Sequence, residues 1–135
     1  MMKCILGIIY QIFPDRFYCS TDDKTIDKER VYHYNKDDKP NFRPNEKGEV
    51  LNNDFFGGDL KGITEKLPYL KSLNVSVIYL NPIFKSFSNH RYDTGNYMEI
   101  DSMLGTKEDF LLLIESAKKL DEYFCYQLQN FRRRF

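Results

Sequence analysis

The chain is poor in the features that mark disulfide-rich, metal-binding or membrane-spanning proteins. Its 135 residues include no tryptophan and only three cysteines, Cys4, Cys19 and Cys125, which are far apart and form no C-x-x-C pair. This pattern predicts a reduced, cytoplasmic chain. No apolar run approaches the roughly 20 residues that cross a bilayer. The amino-terminal apolar stretch passes into charged residues without a small-residue cleavage site, which argues against a signal peptide.

Charge of either sign is also not in excess. Lys and Arg number 20, as do Asp and Glu, so the formal net charge is zero. A balanced chain gives no electrostatic reason to expect nucleic acid or an anionic membrane as a partner. Aromatic residues, at 16%, are abundant instead. They have two interpretations: large side chains that fill a core, or exposed rings that line a sugar site.

Hydrophobic periodicity predicts two strand–helix units. Residues 4–13 form an almost uninterrupted apolar run, typical of a strand buried on both faces. After a long segment, 14–58, Asp59 stands at the N-cap position of a helix in which Pro68 is expected to cause a kink or a split. The apolar positions of that helix recur every three or four residues: Leu60, Ile63, Leu67, Leu70 and Leu73.

The second unit repeats this order. Residues 75–80 predict another buried strand, followed by a loop over 81–105 and a helix capped by Thr106 with Asp109 as its capping-box partner. Asn74, before the strand, is able to take the left-handed conformation. Strands alternating with helices indicate an α/β fold with parallel strands. The long loops follow the strands and so lie at the carboxyl ends, where such folds place their sites.

Four blocks of sequence resemble the alpha-amylase family (glycoside hydrolase family thirteen), especially its neopullulanase and cyclomaltodextrinase branch. They are residues 10–17 (YQIFPDRF), 55–63 (FFGGDLKGI), 77–84 (VIYLNPIF) and 89–94 (NHRYDT). Alone, each block is a weak signal. Together, in the family's order and spacing, they identify the chain as similar to this family.

The resemblance implies a fold and an activity. The fold is a (β/α)8 TIM barrel, which needs about 250 residues. We therefore expect residues 1–120 to be the amino-terminal portion of such a barrel, with its first two strand–helix units and long βα loops. The implied activity is retaining hydrolysis of alpha-1,4 and alpha-1,6 bonds in alpha-glucans or maltooligosaccharides.

The resemblance also implies sugar-binding residues on the loop after the second strand. Carried over by position, Tyr92 stacks on a glucose ring and His90 donates a hydrogen bond to a sugar hydroxyl. Asp93 holds the loop or contacts sugar through its neighbours. Without the resemblance, the residues themselves favour a histidine and a tyrosine satisfied by local packing.

The glycine pair before the first helix has two interpretations. As structure, the glycines permit a positive φ at the entry to a helix that Asp59 caps. As function, the branch resembled often binds calcium here, through the carbonyl of Gly57 and the carboxylate of Asp59. Oxygen ligands suit this hard cation. The remaining ligands expected after the first block are replaced, although Asp22 and Asp23 offer carboxylates in a shifted register.

No catalytic residue is expected in this chain. Glu99 and Asp101 fall on one face of an extended segment, and hydrolysis with retention uses two carboxyl groups about 5–5.5 Å apart. In the resembled family, however, the nucleophile Asp, the acid Glu and a third Asp follow the fourth, fifth and seventh strands, which lie beyond residue 135. Asp15 and Arg16 are expected to form a structural ion pair at a strand end.

The last residues depart from the family pattern. Residues 121–135 lack its third apolar strand and Asn-His pair and end in three arginines. We expect a non-homologous tail there, with a frameshift or an early end of the reading frame as the hypothesis. Two functions follow for the isolated chain. It is an alpha-glucan hydrolase by descent but inactive alone, or a non-enzymatic remnant that at most binds maltooligosaccharide weakly or has no function.

Overall fold

The computed structural model of the chain describes residues 7–120 and the backbone of the strand over 123–126. The first six residues, 121–122 and 127–135 lie outside the description, as do the side chains of Cys4 and Cys125. Within the described part, no helix combines the length and the apolar character needed to cross a membrane.

The described chain contains the two strand–helix units that the periodicity predicts, with short additional elements between them. In order they are β1 Ile8–Ile12, α1 Pro14–Phe17, β2 Val31–Tyr32, β3 Asp54–Phe55, α2 Leu60–Ser72, β4 Val75–Leu80, β5 Phe84–Ser86, β6 Thr94–Ile100, α3 Lys107–Lys119 and β7 Tyr123–Tyr126. The fold is therefore of the α/β class.

A parallel sheet joins strands in the order β1-β4-β7. The central strand β4 spans the residues predicted for it, and its side chains are largely buried on both faces. The prediction that β1 is buried on both faces is wrong for its first residues, since Ile8 is 50% and Ile9 67% exposed. Within the described chain, β1 pairs only with β4, so its outer edge and these side chains remain uncovered.

Strand β7 lies in the segment 121–135, which the sequence predicts to be a tail outside the family fold. It pairs with β4 in parallel, from Val77 opposite Tyr123 to Leu80 opposite Tyr126. Aromatic residues favour a pleated strand, and the run YFCY supplies them although it lacks the expected aliphatic side chains. The sheet therefore extends past residue 120. The remainder of that predicted tail, including its arginines, falls outside the described residues.

Helix α2 begins as predicted, with the carboxylate of Asp59 accepting a hydrogen bond from the Gly62 amide at 2.7 Å. Of the kink or split predicted at Pro68, the split does not occur, because the helix continues to Ser72. Pro68 lies on the exposed face of α2. There, water can bond the carbonyl that a proline leaves without a backbone donor. Asn74 then takes the predicted left-handed conformation, with φ of 62°.

The core lies between the sheet and the two long helices, which pack against each other. Helix α3 begins with the predicted capping box between Thr106 and Asp109. The buried apolar cluster comprises Ile12, Leu60, Ile63, Leu67, Leu70, Val75, Ile78, Leu80, Ile83, Leu104, Leu113 and Ala117. These residues fix the helices on the sheet, and the loops that follow the strands project from this base.

Both long loops contain short strands of their own. In the first, β2 and β3 pair in parallel over two residues each. The segment 81–105, predicted as loop, contains the antiparallel pair β5 and β6. Register shifts interrupt this pair at Phe84, Lys85 and Ser86, which explains why strict alternation is not visible in the sequence. The loops at the carboxyl ends are thus ordered structures and not simple connections.

Candidate functional site

The carboxylate of Asp15 fastens the end of β1 to the glycine pair before α2. It is 1% exposed and accepts hydrogen bonds from the amides of Phe56 at 3.1 Å and Gly57 at 3.2 Å. Arg16 Nε lies 2.8 Å from its Oδ2, which is the structural ion pair that the sequence predicts. The Gly58 amide donates to the Asp15 carbonyl at 2.8 Å. A Cβ on Gly58 would lie 2.0 Å from the Pro14 carbonyl oxygen, so only glycine allows this approach.

The loop after β5 alternates between buried and partly exposed side chains. Asn89 and Arg91 are buried, whereas His90 and Tyr92 are half-buried and Asp93 is exposed. The rings of His90 and Tyr92 lie side by side, with centroids 5.7 Å apart and planes inclined at 40°. The loop therefore brings the predicted sugar-binding residues together on its accessible side.

Hydrogen bonding within the loop orients the ring of His90. The backbone amide of Tyr92 donates to Nδ1 of His90 at 3.0 Å, so Nδ1 serves as an acceptor. Oγ of Ser88 lies 3.0 Å from the same nitrogen. These contacts occupy Nδ1, whereas Nε2 has no partner among the described residues. His90 is consequently arranged to make one hydrogen bond outward through Nε2.

Asp93 closes the loop on itself. Its carboxylate accepts hydrogen bonds from the Ser88 hydroxyl and from the Ser88 amide at 3.1 Å. Partial burial acts to raise the pKa of Asp93, but the two bonds from Ser88 outweigh it and hold the pKa below 3.8. Burial raises the pKa of Tyr92 above 10.0, and Tyr79 adds to this rise. Of the two predicted roles of Asp93, the geometry provides the one of holding the loop.

Asn89 and Arg91 anchor the loop from below. Asn89 Nδ2 donates to the backbone carbonyl of Asp54 at 2.9 Å, and the backbone N–H of Asn89 donates to the carbonyl of Asn52 at 2.7 Å. Arg91 has a left-handed backbone, with φ of 59°, and donates from Nη1 to the Asn89 carbonyl at 3.0 Å. Its Nε lies 3.2 Å from Oδ2 of Asp101, an ion pair without good hydrogen-bond alignment. The buried guanidinium of Arg91 thus holds the backbone that joins His90 to Tyr92.

Asp101 joins this arginine to a second one. Arg30 binds both of its oxygens, with Nη1 at 2.9 Å from Oδ1 and Nη2 at 2.6 Å from Oδ2. Burial acts to raise the pKa of Asp101, but Arg30 and Arg91 lower it to about 2. Glu99, in contrast, is 54% exposed and lies 3.5 Å from Lys85. Asp101 is therefore a structural counter-ion, and the two carboxylates do not share one environment.

The glycine pair and Asp59 adopt the structural arrangement that the sequence allows. Gly57 has φ of 82°, and Asp59 caps α2. The other oxygen of Asp59 accepts from Ser20 Oγ and from Lys24 Nζ, both at 2.7 Å. The ammonium of Lys24 therefore already pairs with the carboxylate that is the expected calcium ligand.

Several residues that build the site were not identified from the sequence. Arg91, Asn89 and Lys24 all belong to residue types that are ordinarily exposed. Each lies within reach of its partner only through folding, because Lys24 and Asp59, for example, are 35 positions apart. The resemblance could have drawn attention to Arg91, which stands between the two predicted sugar-binding residues. No sequence signal marks Lys24.

Comparison with known proteins agrees with the sequence blocks. The family model for the alpha-amylase catalytic domain matches residues 11–127. An amylopullulanase of Thermoanaerobacterium saccharolyticum is 51% identical, covering 82% of this chain and 10% of its own. Neopullulanase 2 of Thermoactinomyces vulgaris is 38% identical, with 84% and 17% covered. The solved type III pullulan hydrolase of Thermococcus kodakarensis superposes with a TM-score of 0.70 at 33% identity, covering 89% of this chain and 22% of that one.

These similarities cover most of this chain and a small part of each relative. The chain spans 7–17% of the length of such curated relatives. The match reaches residue 127 and so includes strand β7, beyond the boundary at residue 120 drawn from the sequence. The chain belongs to the alpha-amylase family, in its neopullulanase- and cyclomaltodextrinase-like branch.

Proposed function

We propose that this chain forms the opening strand–helix units of a (β/α)8 barrel and supplies part of the sugar-binding face of an alpha-glucan hydrolase. The observation that carries the proposal is the paired presentation of His90 and Tyr92 on the loop after the second strand of the parallel sheet. Active sites of barrels of this kind lie on loops at the carboxyl ends of their strands.

The sheet supports the barrel part of the proposal. Its strands are parallel, and successive strand–helix units add neighbouring strands in chain order. That is the arrangement of a barrel, where each new strand lies beside the previous one. The exposed side chains of Ile8 and Ile9 on the outer edge of β1 are suited to contact a further strand.

The chemistry of the two rings supports a sugar ligand. An aromatic face packs against the C–H groups of a pyranose ring, while the tyrosine hydroxyl remains in water. Nε2–H of His90 donates to a ring hydroxyl beside it. A neutral sugar needs hydrogen bonds and stacking and no charge partner, which fits a chain of zero net charge.

Hydrolysis needs more than this face. A retaining glycosidase uses two carboxyl groups about 5–5.5 Å apart, one of them with a raised pKa. Asp101 has a lowered pKa and is enclosed by arginines, and Glu99 is paired with Lys85. We therefore propose that the 135 residues bind maltooligosaccharide and do not cleave it by themselves.

A titration tests the binding proposal. Maltotriose is added to the isotopically labelled 135-residue chain, and amide shifts of the loop after β5 are followed by NMR. We expect saturable shifts centred on His90 and Tyr92. The affinity falls about tenfold in Tyr92→Ala, and roughly threefold to tenfold in His90→Ala, which loses one hydrogen bond. Tyr69→Ala is the matched control, because Tyr69 is exposed on α2.

Two results would count against the proposal. Equal maltotriose affinities in the parent chain and both loop variants would remove the loop from sugar binding. Release of reducing sugar from pullulan or cyclodextrin by the purified chain would contradict the statement that it does not cleave. The second candidate, a non-enzymatic remnant with no sugar site, is favoured if no shift saturates.

A further inference from the structure

The carboxylate of Asp59 has a buried lysine as its partner. Lys24 Nζ lies 2.7 Å from Oδ2 of Asp59, and the two side chains are 6% and 5% exposed. The same ammonium donates to the backbone carbonyl of Met103 at 3.3 Å. The ammonium of this residue of the first long loop thus contacts oxygens from the start of α2 and from the segment before α3.

Other hydrogen-bond donors occupy the remaining acceptor positions of the Asp59 carboxylate. Oδ1 accepts from the Gly62 amide, which caps α2, and Oδ2 also accepts from Ser20 Oγ. The Ser20 amide contributes at 3.2 Å from Oδ2. With the lysine included, both oxygens are saturated by hydrogen-bond donors.

Asp22, an alternative carboxylate ligand, is engaged as well. Its Oδ1 accepts from Lys36 Nζ at 2.7 Å and from the Tyr32 hydroxyl at 2.6 Å. The ring of Tyr32 also covers Gly57, since a Cβ built there would lie 2.1 Å from its hydroxyl oxygen. Asp59 and Asp22 therefore each have their own ammonium partner.

This donor set does not fit a hard divalent cation. Calcium takes six to eight oxygen ligands at about 2.3–2.6 Å. Within the described residues, no three His, Cys, Asp or Glu side chains are grouped so that they could hold a metal ion. A dication at Asp59 would also meet the buried Lys24 ammonium at close range, where repulsion is poorly screened.

We propose that the Lys24 ammonium takes the place of a divalent cation at Asp59, so that this chain fastens its first long loop to helix α2 without calcium. The monovalent charge neutralises Asp59, and the ammonium donates to oxygens of two separate segments, at Asp59 and at Met103. The ion pair is covalently tethered to the loop, so it does not depend on the calcium concentration.

Thermal unfolding of the 135-residue chain in excess chelator and in millimolar calcium tests the proposal directly. We expect the midpoint to differ by less than about 1 °C between the two conditions. A resident calcium ion at about 100 times its Kd would raise the midpoint by roughly 8 °C. Calorimetric titration with calcium chloride should show no saturable heat.

Variants of Lys24 test its part in the contact. Lys24→Met keeps the stem length and removes the charge, and we expect its midpoint to fall by roughly 8 °C or more, because Asp59 is left buried without its counter-ion. Lys28→Met is the matched control, since Lys28 is exposed and no described contact involves it. Its midpoint should remain within about 2 °C of the parent.

The proposal is overturned by either of two results. One is a saturable calcium titration of the parent chain with a matching rise of its unfolding midpoint. The other is a Lys24→Met variant as stable as Lys28→Met in chelator. Chelator-independent stability together with loss on removing Lys24 supports it.

Discussion

Replacement of Asp101 by asparagine probes the buried charge cluster beneath the candidate sugar-binding loop. Asp101 is 1% exposed and accepts hydrogen bonds from both Nη1 and Nη2 of Arg30. Arg91, also buried, pairs with the same carboxylate. Asp101→Asn preserves the shape of the side chain but turns one acceptor into an NH2 group that faces guanidinium donors. Arg91 then remains buried without this counter-ion, and Arg30 keeps only the exposed carboxylate of Asp27, 3.9 Å from its Nε.

The expected loss has two independent magnitudes. The pKa of Asp101 falls from 3.8 to about 2 in the folded chain. At about 1.4 kcal/mol for each pKa unit, the fold favours the charged form by about 2 kcal/mol. Removing one partner of a buried ion pair costs about 3–5 kcal/mol, because the other charge is left unpaired. We expect Asp101→Asn to lower the free energy of unfolding by about 3–5 kcal/mol.

Urea unfolding followed by tyrosine fluorescence measures this loss. With a slope of about 2 kcal/mol per molar urea, the midpoint should fall by roughly 2 M. Glu99→Gln is the matched control two residues away, since Glu99 is 54% exposed and its lysine partner 58%. It should change stability by no more than about 0.5 kcal/mol. If both variants shift the midpoint equally, the buried cluster does not carry the stability assigned to it.

Three further predictions concern packing, capping and pH. Gly58→Ala should cost at least about 2 kcal/mol in urea unfolding, because its Cβ would lie 2.0 Å from the Pro14 carbonyl, whereas Gly95→Ala has only an ordinary contact and should cost less than about 1 kcal/mol. Thr106→Ala should lower the free energy of unfolding by about 1 kcal/mol through loss of the capping box. A variant as stable as the parent chain in urea is the contrary result. The folded pKa of Asp101 lies below its unfolded value, so its contribution is present above about pH 4 and lost as the pH falls towards 2. The difference in free energy of unfolding between the parent and Asp101→Asn should therefore shrink by about 2 kcal/mol over this range.

Local patterns predict the parts of the fold that depend on neighbouring residues. The strand Val75–Leu80, the N-cap of α2 and the capping box of α3 follow from burial period and cap chemistry within a few positions. The exposure of an edge strand does not follow from local patterns. The isoleucines of β1 are predicted to be buried on both faces, because the sequence does not show that the described strand has a neighbour on one side only. The strand β7 was missed because its aromatic run departs from the aliphatic pattern expected there.

Contacts across long sequence separations account for most of what the sequence does not predict at the site. His90 and Tyr92 are found through their resemblance to a family block, and the structure brings their rings together. Their supports are different, because Asn89 bonds Asp54 at a separation of 35 residues and Arg30 bonds Asp101 at 71. Polar side chains at such distances carry no periodic signal before the chain folds.

The candidate site and the stability of the fold depend on the same ion pairs. Asn89 and Arg91 point inward, and the residues that alternate with them, His90 and Tyr92, are turned to the accessible side. Arg91 holds a left-handed backbone, which costs energy for a residue with a side chain. Its buried ion pair with Asp101 acts against that cost, on the segment that joins the two ring-bearing residues. A change at Asp101 should therefore disturb the bond from the Tyr92 amide to His90 Nδ1 as well as stability, because Arg91 lies between these two residues in the chain.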